Sequence, residues 1–182
     1  MTRYVISDLH LEHTNIIEYC DRPFDTVEEM DERLVENWNE TVGKDARVVF
    51  LGDLAFRFDE EELGGWLDKL NGNIVFVEGD HDHVGNTIDS LATHEYHVFE
   101  HGDYEFFCTH HPEKVLRDWD CWVIHGHHHN NWPEEYPFIN FDAKRVNVSV
   151  ELIGYTPLLV DDLVRYIESM SEGEKLIEIP ER

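Results

Sequence analysis

The sequence predicts an α/β fold, with a mixed sheet or two stacked sheets flanked by helices. Two observations support this class. In the first half of the chain, short apolar runs rich in β-formers alternate with segments whose apolar residues recur at helical spacing. In the second half the apolar runs follow one another with little more than turns between them, which is typical of hairpins. The 182 residues are expected to form one domain spanning 1–182.

The first half of the chain carries the alternation of strands and helices. Strands are predicted at 3–7, 47–51 and 74–78, and helical segments at 15–19, 27–42, 60–70 and near 86–92. The second of these helical segments has the strongest signals. Thr26 and Glu29 have the spacing of a capping box at its start, and Gly43 follows its last apolar residue.

The second half of the chain is predicted to contain mostly strands. They are expected at 121–125, 145–152 and 175–179, together with a hairpin over 95–109 that turns at 101–103 and a helix near 161–170. The segment 145–152 alternates apolar and polar residues with a period of two, which is the pattern of a half-buried strand.

The net charge of −26 is extreme for this length, with 40 acidic residues against 14 Lys and Arg. The acids are spread along the chain, so their self-repulsion would destabilise the compact state in dilute salt. At molar salt the Debye length falls to about 3 Å and the repulsion largely vanishes. We therefore expect a protein of a salt-loaded, halophilic cytoplasm, whose melting temperature rises as KCl is raised to molar concentration. A melting temperature that stays flat over this range would contradict the hypothesis.

The composition argues against several classes of protein. An extended nucleic-acid groove needs clustered Lys and Arg, which a chain this acidic does not supply. No apolar stretch approaches the roughly 18 residues of a membrane span, and the N-terminus lacks the basic-then-apolar order of a signal peptide. The cysteines, Cys20, Cys108 and Cys121, are odd in number and lack a CxxC spacing, which favours reduced thiols and a cytoplasmic location.

The residues with the clearest chemistry follow five predicted strands. Acids or histidines come at or just after the end of each apolar run: Asp8 and His10; Asp53; Asp80, His81 and Asp82; His110; and His127, His128 and His129. In open α/β sheets, ligands bind beyond the carboxyl ends of the strands. The five strand ends therefore carry metal-ligand residue types toward what could be one place.

Asp and His, with one carboxylate as a bridge, are the ligand types that hold two divalent ions about 3.5–4 Å apart. Such a pair lowers the pKa of a shared water toward about 7 and clamps the oxygens of a phosphoryl centre during in-line displacement. If the strand ends converge, the set forms a two-metal hydrolytic site.

The order of these motifs resembles that of the calcineurin-like metallophosphoesterases. The matching motifs are Asp8-x-His10, Gly52-Asp53, Gly79-x-His81-Asp82, His110 and Gly126-His127-x-His129. Other stretches look like a small, cap-less bacterial, archaeal and phage subgroup, among them Asn15-Ile16-Ile17, Arg22-Pro23-Phe24, Trp38-Asn39 and Val146–Glu151. The resemblance implies a four-layer αββα sandwich with two mixed sheets and a dinuclear metal site at the strand carboxyl ends.

The resemblance also implies a role for each residue. Asp8, His10 and His129 would bind the first metal, Asp80, His110 and His127 the second, and Asp53 both. His81 would contact the phosphate and act as general acid toward the leaving oxygen. Asp82 would orient His81, as a carboxylate fixes the tautomer of an imidazole elsewhere.

The third strand end departs from the family pattern, which has asparagine at the position of Asp80. An amide supplies one oxygen and keeps an NH₂ that can donate to phosphate, whereas a carboxylate only accepts. With Asp80, three carboxylates and a bridging hydroxide balance the charge of two divalent ions. We hypothesise that Asp80 tightens metal binding and weakens the attraction for a phosphate anion. Drift toward lost activity is the alternative.

Three residues near the first strand end are candidates for substrate contact. His13 could reach the substrate or be a plain surface histidine. Arg22 could bind phosphate bidentately or form a structural ion pair. Asn15 could contact substrate or cap the helical turn that follows it. Two further histidines that adjoin ligand positions, His111 and His125, are expected to pack around the site without binding metal. His128 lies between two proposed ligands, so its side chain is expected to point away from the metal, either to solvent or to a bond with a neighbouring group.

Together these inferences predict a phosphoesterase that hydrolyses a nucleotide-like or small phosphodiester or phosphomonoester by in-line attack of a metal-bridging hydroxide. The alternatives are a metal-binding interaction module that kept the fold and a nucleotide pyrophosphatase. The expected cofactors are two divalent ions; Mn²⁺ is preferred, and the oxygen and nitrogen donors leave Fe, Ni and Zn open. The expected partner is the phosphate-ester substrate, with a homodimer left open.

Overall fold

The computed structural model describes residues 2–56, 60–82, 93–115 and 120–180. The strands are β1 (Arg3–Ile6), β2 (Arg47–Phe50), β3 (Asn73–Val77), β4 (Thr93–His94), β5 (His97–His101), β6 (Tyr104–Cys108), β7 (Trp122–His125), β8 (Ile139–Asn140), β9 (Arg145–Asn147), β10 (Leu158–Leu159) and β11 (Lys175–Leu176). The helices are α1 (Thr14–Tyr19), α2 (Val27–Thr41), α3 (Glu60–Leu67) and α4 (Val160–Ser169), with 3₁₀ turns at Pro112–Lys114 and Val150–Leu152. The strands form two mixed sheets, so the predicted mixed α/β class is confirmed.

The first sheet has the strand order β10-β1-β2-β3-β4. Strands β1 to β4 run parallel, and β10 is antiparallel at one edge. Ile6, Phe50 and Phe76 lie side by side in the register of β1, β2 and β3. Because these three strands point the same way and end at the same level, the loops that follow them open at one edge of the sheet.

The second sheet has the strand order β11-β8-β9-β7-β6-β5. Strands β6, β7 and β9 run parallel, and the remaining pairs are antiparallel. A parallel bridge between Ser7 and Ser149 connects the two sheets just beyond β1 and β9. The Ser7 N–H donates to the Val148 carbonyl at 3.0 Å. This bridge brings the carboxyl ends of strands from both sheets next to one another.

The main hydrophobic core contains side chains from both sheets and from helices α2 and α4. Helix α2 buries Met30, Leu34 and Trp38, which recur every four residues along one face. The Trp38 ring packs 6.3 Å from that of Phe50, and its Nε1–H donates to the Asn71 carbonyl at 2.9 Å. The helix is thereby fixed against the first sheet. None of the described helices has the length and apolar character needed to cross a membrane.

The start of α2 follows the predicted capping pattern with one difference. The Thr26 hydroxyl accepts from the Glu29 N–H at 3.2 Å, as an N-cap does. The Glu29 carboxylate, however, accepts from the Asp25 N–H at 3.0 Å, one residue before the N–H that a strict capping box would use.

The predicted strand over 145–152 is shorter than expected. It stays extended as β9 only to Asn147 and then turns. The Asn147 side chain accepts from the Ser149 N–H at 3.1 Å, so a side chain takes the place of a strand partner. The tail strand over 175–179 is also reduced, to β11, because the Ile179 N–H donates to Leu152. The helical turn expected near 86–92 lies outside the described residues.

Helix α2 carries a buried carboxylate whose ionisation affects stability. Asp31 is 7% exposed and accepts the Glu12 N–H with both oxygens, at 3.0 and 3.2 Å. Burial, together with the charges of Glu12 and Glu28, raises the pKa of Asp31 from 3.8 to about 7. The folded state thus keeps its proton to higher pH than the unfolded chain. The wild type should therefore lose stability from this group as the pH rises from about 4 to 7.

We expect Asp31→Asn to remove this cost, because the amide oxygen can still accept the Glu12 N–H without carrying a charge. The variant should match the wild type near pH 4 and be more stable by about 1–2 kcal/mol above pH 7. Denaturant melts at pH 4, 6 and 8 measure the difference, with Glu32→Gln on the exposed side of the same helix as control. If the difference in unfolding free energy between Asp31→Asn and the wild type does not increase with pH, the expectation is contradicted.

Candidate metal centre

The loops that follow the parallel strands meet at one place. The approach is so close that a Cβ on Gly52 would lie 2.5 Å from the Gly79 nitrogen and 2.8 Å from His110 Nδ1. A Cβ on Gly126, after β7, would collide with Asp8. Only glycine, which has no side chain, permits such contacts. The convergence of the strand ends therefore depends on Gly52, Gly79 and Gly126, each of which directly precedes a candidate ligand.

The first group of donor atoms comes from Asp8, His10 and His129, whose ligand atoms lie within 4.8 Å of one another. Asp8 Oδ1 is 3.9 Å from His10 Nε2 and 3.7 Å from His129 Nε2. The second oxygen, Oδ2, accepts from the Ser149 hydroxyl at 2.8 Å and from the His127 N–H at 3.1 Å. Asp8 therefore presents one oxygen to two imidazoles while the protein holds the other.

The second group comes from Asp80, His110, His111 and His127. Three of these are the ligands predicted for the second metal, whereas His111 is expected only to pack around the site. His127 Nδ1 lies 3.3 Å from Asp80 Oδ2, and His111 Nε2 lies 2.8 Å from Asp80 Oδ1. The ring of His110 is oriented by a 2.7 Å hydrogen bond from Nδ1–H to the Leu51 carbonyl, which leaves Nε2 to face the site.

Asp53 lies between the two groups. Its Oδ2 is 3.4 Å from His10 Nε2 and 3.5 Å from His110 Nε2. Both nitrogens are buried, and neither has a hydrogen-bond partner among the described residues. Buried polar atoms without partners are costly and rare. Oxygen and imidazole donors at these separations fit divalent cations, and a carboxylate oxygen between two imidazoles fits a ligand shared by two ions.

The candidate ligands share an unusual backbone conformation. Five of the seven have positive φ: Asp8 at 62°, His10 at 52°, Asp53 at 60°, His127 at 72° and His129 at 50°. Residues with side chains rarely adopt this region, at a cost of about 1–3 kcal/mol each. Strain of this kind clusters at functional sites. Candidate ligands account for five of the ten described non-glycine residues with positive φ, which supports a site shaped for function at the expense of stability.

The electrostatics of the site favour positive charge. Burial opposes the ionised form of Asp53, yet the neighbouring His10 and His110 keep its pKa far below the usual range. Burial likewise opposes protonation of His110, yet Asp53 and Asp8 raise its pKa to about 9. The pKa of His129 is raised in the same way, chiefly by Asp8. At His110 and His129 the carboxylates thus outweigh desolvation, whereas burial lowers the pKa of His10 and of His127. The buried carboxylates that raise the first two values also favour a metal cation.

His81 lies next to the first donor group. Its side chain is exposed, and its ring lies 5.3 Å from that of His10 and 5.4 Å from that of Phe56. The His81 N–H donates to Asp53 Oδ1 at 2.9 Å, so the backbone of the third strand end is tied to the carboxylate between the two groups. This backbone contact places His81 beside the first donor group, with its side chain exposed.

Asp82 does not have the role expected for it. Its carboxylate is buried and accepts from the N–H groups of Asp53, Leu54 and Gly79 at 2.5 to 2.9 Å. Burial and the charge of Asp53 raise the pKa of Asp82 to about 6. Asp82 thus joins the loops after β2 and β3 instead of orienting His81. The expectation is corrected because three backbone N–H groups occupy both oxygens of this buried carboxylate.

Two of the candidate substrate contacts also differ from expectation. His13 is not a surface residue: it is 8% exposed, stacks on Phe56 at 3.9 Å and places Nδ1 3.4 Å from His10 Nδ1. It therefore supports the back of a candidate ligand. Asn15 is exposed at the second position of α1, and the N-cap position belongs to His13, so Asn15 does not cap the helix.

Arg22 forms the structural ion pair that is one of its two predicted roles. Its buried guanidinium donates to Glu151 Oε1 through Nη2 at 2.6 Å and Nε at 2.9 Å. It also donates to the carbonyls of Asp8 and Leu9, each at 2.8 Å. The first ligand loop is therefore clamped to the turn after β9, and we assign Arg22 no contact with phosphate.

Two residues that sequence reasoning does not single out complete the first donor group. Glu151 Oε1 lies 3.1 Å from His129 Nδ1, which fixes the ring so that Nε2 faces Asp8. Although burial opposes it, Arg22 and His129 lower the pKa of Glu151 to about 2. The other residue is Ser149, which holds Asp8. Ser149 and Glu151 lie on the polar positions of the alternating 145–152 segment, where a half-buried strand would face solvent, so the local pattern does not mark them as buried.

Glu151→Gln is expected to weaken divalent-cation binding about 10- to 100-fold, because the variant loses the carboxylate that makes His129 a better ligand. It should also cost about 2–4 kcal/mol of stability, since Arg22 stays buried without a counter-charge. Mn²⁺ titration and denaturant unfolding measure the two effects. Glu113→Gln is the matched control, because Glu113 pairs with His128 at 2.7 Å outside the donor groups. If both variants behave alike, the role of Glu151 is wrong.

The comparisons with known sequences identify a family. No family model matches the chain. Its sequence is 44% identical over 167 residues to the uncharacterized protein MJ1445 of Methanocaldococcus jannaschii, covering 91% of this chain and 90% of that protein. The chain belongs to the MJ1445 family. The gene 66 protein of Mycobacterium phage L5 is 32% identical over 100 residues, which cover 52% of this chain and 48% of the phage protein.

The fold of this chain is shared with a solved structure. AQ665, a protein of unknown function from Aquifex aeolicus, superposes with a TM-score of 0.71 at 22% identity over 91% of this chain and 99% of that one. The phosphoesterase YfcE of E. coli superposes with a TM-score of 0.46 at 16% identity over 82% of this chain and 78% of its own. The first likeness establishes a shared fold, and the second is too distant to support an argument about activity.

Proposed function

We propose that the chain is a metal-dependent phosphoesterase with two divalent ions in its site. The observation that carries the proposal is the placement of His10 Nε2 and His110 Nε2. Both are buried, lack a hydrogen-bond partner among the described residues and lie 3.4 and 3.5 Å from one oxygen of Asp53. One shared carboxylate between two sets of histidine and aspartate donors matches a two-metal hydrolytic site. The motif order, which resembles that of calcineurin-like metallophosphoesterases, supports the same conclusion.

The described residues divide the work between binding and proton transfer. Asp8, His10 and His129 would hold one ion, Asp80, His110 and His127 the other, and Asp53 would be shared. When bound, the two ions would neutralise phosphate oxygens and bring the pKa of a water toward about 7. His81 stands at the open side of the first group, where it would carry a proton to the leaving oxygen. Glu151 orients His129, and Asp82 keeps the ligand loops together.

The proposed substrate is a phosphodiester or phosphomonoester of a nucleotide-like or small alcohol. Mn²⁺ is the proposed ion, since the donors are imidazole nitrogens and carboxylate oxygens with no thiolate, a set that also accepts Fe, Ni or Zn. We propose a cytoplasmic enzyme that works at high salt, in keeping with its net charge of −26.

The proposal is tested by returning Mn²⁺ to protein stripped with EDTA and following hydrolysis of bis(4-nitrophenyl) phosphate and 4-nitrophenyl phosphate at low and molar KCl. We expect turnover of at least one ester that depends on Mn²⁺ and is lost in the His10→Ala/His110→Ala double variant. His94→Ala, an exposed histidine on β4, is the control. Tight binding of two Mn²⁺ with no turnover above the double variant would replace the enzyme with a metal-binding interaction module.

A further inference from the structure

The two oxygens of Asp80 face two different imidazoles. Oδ1 lies 2.8 Å from His111 Nε2, and Oδ2 lies 3.3 Å from His127 Nδ1. The ring of His111 also packs 4.2 Å from that of His127 and 4.9 Å from that of His110. His111 is therefore inside the second donor group, although the predicted ligand set for the second metal does not include it.

The two distances have different meanings. Two donor atoms bound at about 2.1 Å to one ion, at a right angle or wider, are about 3.0 Å or more apart. The 3.3 Å separation of Asp80 Oδ2 from His127 Nδ1 satisfies this condition, whereas the 2.8 Å separation of Asp80 Oδ1 from His111 Nε2 is a hydrogen-bond distance. A nitrogen that donates its proton to Oδ1 has no lone pair left for a metal.

We propose that His111 is a positioning residue that donates Nε2–H to Oδ1 of Asp80 and so leaves Oδ2 as the single oxygen that binds the second metal. This inference rests on the proposed function. A carboxylate without such a partner is free to rotate and to take the ion with both oxygens, which changes the number of ligands. An asparagine at position 80 has a single oxygen and would not need this restraint, so His111 acts as the structural complement of the aspartate.

A double-mutant cycle on Asp80 and His111 tests the inference. The variants are His111→Ala, His111→Gln, Asp80→Asn and the Asp80→Asn/His111→Ala pair. Mn²⁺ stoichiometry and Kd for the second ion are measured by calorimetry and by the EPR signal of free Mn²⁺, without reference to turnover. His128→Ala is the matched control. His128 follows His127 directly in the chain and makes an equally short contact with a carboxylate, 2.7 Å to Glu113, that lies outside the donor groups.

We expect His111→Ala to weaken the second Mn²⁺ about 10-fold or more. His111→Gln, which keeps an N–H donor, should stay within about threefold of the wild type, and His128→Ala should leave the Kd unchanged. In the Asp80→Asn background, His111→Ala should change the Kd little further, because the carboxylate oxygen that His111 restrained is gone. Circular dichroism and melting temperature establish that each variant folds.

Three results would overturn the inference. The Kd of His111→Ala could equal that of the wild type, His111→Gln could weaken Mn²⁺ binding as much as His111→Ala does, or His111→Ala could weaken binding as strongly in the Asp80→Asn background as in the wild type. The second of these would make His111 a direct ligand. Failure of the proposed function is distinguished from failure of this inference by measurements on the wild type alone. Two bound Mn²⁺ without ester hydrolysis would reject the enzyme while leaving the pair testable, and absence of Mn²⁺ binding would reject both.

Discussion

Asp53→Asn is expected to reduce turnover at least about 1000-fold and to lower the number of bound Mn²⁺ from two to one or fewer. Oδ2 of Asp53 is within 3.5 Å of a buried imidazole nitrogen from each donor group. Asparagine keeps the size of the side chain but removes the charge that both ions would share. The repulsion between the two ions would then be uncompensated. Several kcal/mol of transition-state stabilisation from such a pair correspond to a factor of this size.

The measurement combines steady-state hydrolysis at increasing Mn²⁺ with the metal content of the dialysed protein. Asp31→Asn is the matched control, because it makes the same change in another buried carboxylate that belongs to neither donor group. We expect it to keep wild-type turnover. If Asp53→Asn binds two Mn²⁺ and retains more than a tenth of the wild-type rate, Asp53 is not the shared ligand.

His81→Ala is expected to lower kcat about 10²- to 10⁴-fold for an ester with an alkyl leaving group. The effect on a 4-nitrophenyl ester should be less than tenfold, because nitrophenolate leaves without a proton. The His81 ring is exposed and 5.3 Å from that of His10, which suits a group that reaches the substrate. The contrast between the two leaving groups distinguishes a proton donor from a residue that merely shapes the site.

The Mn²⁺ Kd of His81→Ala is the decisive second measurement, since a His81 nitrogen also lies within 4.8 Å of ligand atoms of His10 and Asp53. A general acid leaves the Kd unchanged, whereas a metal ligand does not. His94→Ala is again the control. Equal losses for both leaving groups together with a weaker Kd would assign His81 to metal binding and remove it from proton transfer.

Much of the fold could be predicted because its signals are local. The strands that became β1, β2, β3 and β7 are short apolar runs, and helix α2 has both its cap residue and its apolar spacing within a few positions. The prediction of a strand over 145–152 was wrong beyond Asn147 because a long-range contact, not a local signal, decides the structure there. Its alternation was real, but Ser149 is used to bridge to Ser7, which is 142 positions away in the chain. No local pattern records such a contact.

The candidate site divides in the same way. The residues that follow the strands were predicted from their types and order, and the structure brings all seven candidate ligands into adjoining donor groups. Their metal-binding roles stay predictions until ions are measured. The supporting contacts were not predictable. Asp82 binds backbone N–H groups, and Arg22 pairs with Glu151, because burial obliges each charged group to take whatever partners the fold brings to it.

The linear sequence was therefore enough to predict the class of fold and the strand-end positions of the candidate ligands, since both depend on periodicity or residue type over a few neighbours. Asp80 stood out only through the resemblance to the calcineurin-like metallophosphoesterases, in which asparagine occupies that position. Long-range packing alone established which oxygen of each carboxylate faces the site, which histidines have a free nitrogen and where His111 lies. Those properties depend on distances between strand ends that are far apart in the chain, and only the closure of two sheets on each other sets such distances.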